Sequence, residues 1–103
     1  MNENQKKVAE LVEKYNLTGS AEVRFIDLAS EVGELGKEIL EGTDYGKSAF
    51  QKTENLESEI GDVLFSLTCV ANEVGVDLDT ALEHVLNKYE NRFSKKGHIG
   101  SEE

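Results

Sequence analysis

The stretch SEVGE at residues 30–34 recurs, with Ile for Val and Asp for the second Glu, as SEIGD at residues 58–62. Each copy lies in a segment whose apolar residues follow the helical period. Residues three apart are neighbours on one helix face, so each copy predicts a helix that presents a pair of carboxylates. Two such helices packed together would bring four carboxylates to one place.

Each copy also contains a glycine, Gly33 or Gly61, between its two acids. Glycine inside a helix costs about 0.5–1 kcal/mol relative to alanine. Its repetition beside the same acidic pair predicts a close backbone approach at one shared place.

The four carboxylates belong to Glu31, Glu34, Glu59 and Asp62. A single pair of this kind is common on solvated helix faces, but the repetition on two helices favours a shared cation site. Ligands that are all oxygen suit Mg²⁺, with Mn²⁺ as a substitute. A di-iron bundle would need Glu-x-x-His, which neither histidine provides, and zinc would require histidine or cysteine ligands.

Composition narrows the class of protein. The chain has 103 residues, no proline and a formal net charge of −10. We expect a single domain over residues 1–103, and the charge argues against nucleic acid or an anionic membrane as partner. The one cysteine, Cys69, is expected to be a small core residue, and the polar N-terminus without a signal peptide favours a cytoplasmic protein.

Periodicity and turn signals predict four helices, at about residues 4–15, 21–41, 53–74 and 78–93. Ser20 and Asp77 are the expected N-caps, Gly42 and Gly75 are the expected helix ends, and Phe25 belongs to the expected core stripe of the second helix. Residues 94–103 are expected to form a mobile tail. The predicted fold is all-α, a small antiparallel four-helix bundle that oligomerises into a homodimer or homotetramer, because its helices carry more apolar surface than one chain can bury.

The acidic motifs and their surroundings, EVGEL at residues 31–35 and EIGDVLF at residues 59–65, resemble those of the MazG-type all-α nucleoside triphosphate pyrophosphohydrolases. The resemblance runs from about residue 28 to residue 96. It implies a hydrolase that cleaves a nucleoside or deoxynucleoside triphosphate between the α- and β-phosphates and serves nucleotide-pool housekeeping. It also implies that the four carboxylates hold Mg²⁺. Many relatives have an asparagine where this chain has Leu86, with Asn87 one position later.

Further candidate residues follow from their position relative to these motifs. Glu34 and Glu38 are candidates for the group that accepts a proton from water. Glu38 could instead be an extra metal ligand, or it could equally be solvated. Lys88 and Arg92, four residues apart on the last helix, could bind one phosphate or pair with nearby acids. Lys96 is a weaker candidate that would close over the nucleotide.

Two other functions remain open at this point. The same site could serve a regulatory module that binds nucleotide and metal with little or no turnover, or the acids could simply decorate the surface of a structural bundle. The sequence leaves open the preferred base and sugar, any preference for modified nucleotides, the number of metal ions, the identity of the general base and the choice between dimer and tetramer.

Overall fold

Four α-helices make up the fold in this computed structural model, which describes the backbone of residues 1–96. They are α1 (Glu3–Lys14), α2 (Ala21–Gly42), α3 (Leu56–Val74) and α4 (Leu78–Lys96). No strand occurs within that range. The prediction of an all-α protein is confirmed.

The helix ends show how local sequence sets the boundaries. The Ser20 hydroxyl accepts a hydrogen bond from the backbone N–H of Val23 at 3.2 Å, and Asp77 accepts one from Asp79 at 2.9 Å, as predicted for N-caps. Gly75 ends α3 with φ 74°, a left-handed conformation that glycine adopts at no steric cost.

Some boundaries differ from the prediction. Helix α3 begins at Leu56 because residues 53–55 form a turn whose Thr53 hydroxyl is engaged by α2. Helix α4 continues to Lys96, three residues beyond the predicted helix end at about residue 93. Residues 97–103, which belong to the expected mobile tail, lie outside the described part of the chain.

The close backbone approach occurs at a different glycine from those predicted. A Cβ atom at Gly33 or Gly61 would meet nothing within 4 Å, so neither supports a close approach within this chain. A Cβ atom at Gly42 would lie 2.8 Å from the backbone oxygen of Gln51 and would also overlap the ring of Phe50. Gly42 is therefore the last residue of α2, rather than a stop beyond it, and it lets the connection fold back onto the helix.

Helices α2 and α3 form an antiparallel pair, and α1 packs on α3. The buried residues of α3 are small, namely Ser66, Thr68, Cys69 and Ala71. Their size allows close packing, and the prediction of Cys69 as a small core residue is confirmed. Helix α4 packs along none of the other three helices in the described structure.

One face of the α2–α3 pair remains apolar and open. Its residues repeat every seven positions on both helices, which keeps them on one side. They are Phe25, Val32 and Ile39 on α2, and Ile60, Leu67 and Val74 on α3. Phe25 is 61% exposed, so its predicted place in the core is wrong for the single chain.

Gln5 joins three helices, although nothing in the sequence marked it. Its side chain is fully buried and donates hydrogen bonds to the Asn72 side chain at 3.0 Å and the Val76 carbonyl at 2.8 Å. It also accepts one from the backbone N–H of Leu78 at 2.8 Å. This single amide thus fixes the first turn of α1 against the junction between α3 and α4.

We expect Gln5→Ala to lower the free energy of unfolding by about 3 kcal/mol, because it leaves several buried polar groups without partners. Urea unfolding followed by circular dichroism measures the change. Gln51→Ala is the matched control, since Gln51 is exposed and its side chain makes no hydrogen bond among the described residues. Equal losses in the two variants would contradict the role assigned to Gln5.

Candidate metal centre

Three of the predicted carboxylates converge at the seam between α2 and α3. Glu31 extends from α2, and Glu59 and Asp62 extend from α3 one turn apart. One carboxylate oxygen of each residue lies within 4.8 Å of the others. The antiparallel pairing brings the first acid of one SExGx copy against both acids of the other.

Glu34 lies outside this group of three. It is exposed on α2, close enough for its charge to act on Glu59. The structure therefore brings three of the four predicted ligands together and leaves the fourth at the margin of the cluster.

The environment of Glu59 raises the pKa of its carboxyl group above the ordinary value. Burial, which disfavours the charged form, is the largest cause. The second cause is the charge of the surrounding acids, which are Asp62, Glu34, Glu31 and Glu38. No lysine or arginine lies within 4.0 Å of these carboxylates in the part of the chain that the structure describes, so the negative charge has no protein counter-ion.

An all-oxygen donor set with excess negative charge fits a hard divalent cation such as Mg²⁺. Half-buried Glu31 and Glu59 would contribute two ligands and exposed Asp62 a third. Three protein carboxylates would leave further coordination positions open. In nucleotide sites, water and phosphate oxygens commonly fill such positions on Mg²⁺.

Glu38 has a different environment from the cluster. It is buried, and one of its carboxylate oxygens accepts a hydrogen bond from the Thr53 hydroxyl. The contact joins the end of α2 to the turn before α3, and so holds the register that brings Glu31 opposite Glu59. Glu38 is therefore not solvated and lies outside the group of three clustered carboxylates, and it supports the site through this hydrogen bond.

The predicted phosphate-binding cations lie on α4. Lys88 is exposed, with its Nζ atom 5.4 Å from the centre of the Tyr89 ring, and Arg92 is half-buried. Neither lies within 4.0 Å of a carboxylate among residues 1–95. The ion pair with nearby acids, which the sequence offered as the alternative to phosphate binding, is therefore not formed there. Since α4 packs along neither α2 nor α3, one chain alone does not assemble these cations with the carboxylates. The side chain of Lys96 lies outside the described structure.

Arg24 is a buried charged residue that the sequence analysis missed. It is 8% exposed and lines a cavity of about 370 Å³ together with Cys69 and Asn72. Its position seven residues before Glu31 is the signal that could have identified it, because that spacing places both residues on one helix face.

Comparison with known proteins agrees with this fold. The family model of the MazG nucleotide pyrophosphohydrolase domain matches residues 22–96, which include both acidic motifs. The chain belongs to the MazG nucleotide pyrophosphohydrolase family. The predicted resemblance and the predicted enzyme class are confirmed at this level.

Individual relatives come from Bacillus. The chain is 40% identical over 68 residues to the uncharacterized protein YpjD of Bacillus subtilis (strain 168), and the match covers 63% of this chain and 60% of that protein. The crystal structure of YpjD from Bacillus subtilis superposes with a TM-score of 0.73 at 32% identity, over 89% of this chain and 94% of that one. A crystal structure of the Bacillus-conserved MazG protein, a nucleotide pyrophosphohydrolase, superposes with a TM-score of 0.69 at 34% identity, over 82% of this chain and 83% of that one.

Within residues 3–96, no helix is both long enough and apolar enough to cross a bilayer.

We expect the metal-free protein to become more stable as pH falls toward the titration range of Glu59. The folded state binds the Glu59 proton more tightly than the unfolded chain does, because folding raises the pKa. The stabilising contribution is therefore complete below the unfolded-chain pKa and is lost as pH rises through the folded-state pKa. Glu59→Gln should be more stable than the native protein in EDTA at about pH 7, and the difference should shrink as the pH falls into the titration range of Glu59.

Urea unfolding at a series of pH values, with EDTA or Mg²⁺, measures both effects. Mg²⁺ should stabilise the native protein more than Glu59→Gln. Glu57→Gln is the control, because Glu57 is exposed on the same helix and lies outside the cluster. A Glu59→Gln profile parallel to that of Glu57→Gln would rule out the proposed charge repulsion.

Proposed function

We propose that this protein is a Mg²⁺-dependent nucleoside triphosphate pyrophosphohydrolase that cleaves between the α- and β-phosphates. The convergence of Glu31, Glu59 and Asp62 is the observation that carries the proposal. Membership of the MazG family supports it, since that family is defined by nucleotide pyrophosphohydrolase domains. The products are a nucleoside monophosphate and pyrophosphate, and the role is nucleotide-pool housekeeping in the cytoplasm.

The three clustered carboxylates would hold Mg²⁺ and thereby fix the triphosphate beside the α2–α3 seam. When bound, the cation supplies positive charge to phosphate oxygens and lowers the pKa of water. Mn²⁺, which accepts the same oxygen ligands, is the expected substitute.

Glu34 is the group best placed to accept a proton from the attacking water. It is exposed beside the cluster, and its carboxylate is not committed to a hydrogen bond among the described residues. The water oxygen forms a bond to the α-phosphorus, the bond from that phosphorus to the bridging oxygen breaks, and pyrophosphate leaves. Glu38, already engaged by Thr53, acts as a positioning residue in this scheme.

The open apolar face of α2 and α3 supports a homo-oligomer. Val32 and Ile60 are each 50% exposed there, and monomeric proteins rarely leave a continuous apolar face of this kind in water. A second copy placed on this face would form a four-helix core from two α2–α3 pairs. The same association would give α4, with Lys88 and Arg92, a helix pair to pack against.

The second candidate, a nucleotide-binding regulatory module, uses the same carboxylates without turnover. Both functions would use the carboxylate cluster to bind the metal and the cations of α4 to bind phosphate. The two differ only in whether Glu34 promotes attack by water, so product analysis separates them.

We expect the protein with Mg²⁺ and a panel of nucleoside and deoxynucleoside triphosphates to release monophosphate and pyrophosphate, with no free phosphate. Anion-exchange chromatography of the products measures this. EDTA should abolish the reaction, and Glu31→Gln or Glu59→Gln should lower kcat/KM by about 100-fold or more, because each removes a charged ligand.

Glu54→Gln is the control for that experiment, since Glu54 is exposed in the turn before α3 and lies outside the cluster. Nucleotide binding without any product, together with stabilisation by Mg²⁺, would favour the regulatory module. Diphosphate and free phosphate as products would contradict cleavage at the α-phosphorus.

We expect the protein to elute as a dimer or larger oligomer in size-exclusion chromatography with light scattering. Val32→Glu should raise the dissociation constant by on the order of 100-fold, because it would bury an unpaired charge. Leu17→Glu is the matched control, an exposed apolar residue outside the face. A native protein that is monomeric at high concentration would refute the proposed association.

A further inference from the structure

The cavity beside Arg24 lies at the end of the α2–α3 pair where α2 begins and α3 ends. Helix α1 and the connection that follows it close one side, and α2 and α3 close the other. Its walls include Val12, Thr18, Arg24, Cys69, Asn72 and Glu73. At about 370 Å³, it falls within the usual range for small-molecule pockets.

Arg24 is an incompletely satisfied cation in this wall. Its Nη2 atom donates to the carbonyl of Leu17, but its Nε atom is buried without an acceptor among the described residues. No carboxylate lies within 4.0 Å of its guanidinium group in that part of the chain. Because a buried cation that lacks acceptors is unfavourable, the arrangement points to a missing partner rich in acceptor oxygens.

The cavity is aligned with the metal centre. Arg24 precedes Glu31 by seven residues on α2, and Cys69 follows Asp62 by seven residues on α3. Seven residues are two helical turns, so each pair shares a helix face with a separation of about 10.5 Å along the axis. This separation is comparable with the reach of one extended nucleotide from its phosphates to its base.

We propose that this cavity is the nucleobase subsite and that Arg24 donates to a carbonyl oxygen of the base, which gives the protein a preference for keto bases. The inference rests on the proposed function, since it assumes that phosphates occupy the carboxylate cluster. Glu73, at the exposed edge of the same cavity, accepts from the adjacent ring N–H. Guanine, hypoxanthine, uracil and thymine present this carbonyl and N–H pair.

Adenine and cytosine present the opposite pair. Their exocyclic amino group would place a donor against the Arg24 donor, and their unprotonated ring nitrogen would face the Glu73 carboxylate. A site that leaves buried polar groups unpaired discriminates strongly against such a ligand.

Asn72 has a different task in the same wall. Its amide donates to the Gln5 carbonyl at 3.1 Å and accepts from the Gln5 side chain at 3.0 Å. Its hydrogen bonds are thus used to hold α1 over the cavity, so Asn72 is not one of the groups available to a base, whereas Arg24 and Glu73 are.

The test compares pairs of nucleotides whose bases carry either a keto group or an amino group at the same position of the same ring. In the native protein, kcat/KM for inosine triphosphate should exceed that for ATP by on the order of tenfold or more, and UTP should exceed CTP similarly. Arg24→Met, which keeps the length of the side chain and removes its donors, should bring both ratios close to one. Lys6→Met, at an exposed position on α1, should leave both ratios unchanged.

Binding provides a readout that does not need turnover. Calorimetric titration with IMP and AMP in the presence of Mg²⁺ should show the same preference, with loss of preference in Arg24→Met. If Arg24→Met does not fold, Arg24→Lys, which keeps the charge but not the planar donor array, should reduce the ratios partially.

Each outcome has a distinct meaning. Hydrolysis with ratios near one in the native protein, or ratios unchanged in Arg24→Met, would overturn the base subsite and leave the proposed function intact. No hydrolysis of any nucleotide, with IMP still bound better than AMP, would overturn the enzymatic function and keep the subsite. Equal binding of IMP and AMP would overturn the subsite, and loss of oligomer in Arg24→Met would then assign Arg24 to a subunit contact.

Discussion

Repulsion among carboxylates held on a rigid helix pair is the constraint on which the rest of this structure depends. The backbones of α2 and α3 hold Glu31 and Glu59 near each other, because the small buried residues of α3 allow the two helices to pack closely. The helix pair therefore holds like charges close together, an unfavourable interaction that a bound divalent cation would offset. The buried contact between Glu38 and Thr53 keeps this register by joining the other end of α2 to the turn that precedes α3.

The antiparallel pairing also distributes tasks among helix faces. Along α2, charged side chains occur at seven-residue intervals from Arg24 to Glu38. Exposed apolar side chains occur at the same interval from Phe25 to Ile39. A rotation of one residue, about 100° on a helix, separates the two series. The proposed catalysis, association and base recognition would thus share one pair of helices, and an error of register would disturb all three together.

Much of this arrangement was predictable because it depends on local pattern. Four helices, the caps at Ser20 and Asp77, the end at Gly75 and the converging acids follow from periodicity, capping chemistry and repetition. The family assignment followed from the same acidic motifs.

Features that depend on three-dimensional packing were not predictable. Gln5 reads as an ordinary polar residue of an amphipathic helix until α1 is placed against α3. Phe25 fits a core stripe by spacing, yet a single chain has too few helices packed together to cover that stripe. The close approach occurs at Gly42, where the returning chain meets α2, rather than at the glycines within the motifs. Glu34 shares the motif of the metal ligands but stays at the margin of the cluster, because the antiparallel register decides which acids meet.

Cys69, the one cysteine of the chain, lies in the wall of the Arg24 cavity. Burial raises the pKa of its thiol, although the charge of Arg24 partly opposes this effect. The thiol is therefore a weak nucleophile in the folded protein, and a reagent reaches it by way of the cavity. The rate of Cys69 alkylation would consequently report whether the cavity is occupied, because a bound molecule would slow the reaction without any introduced label.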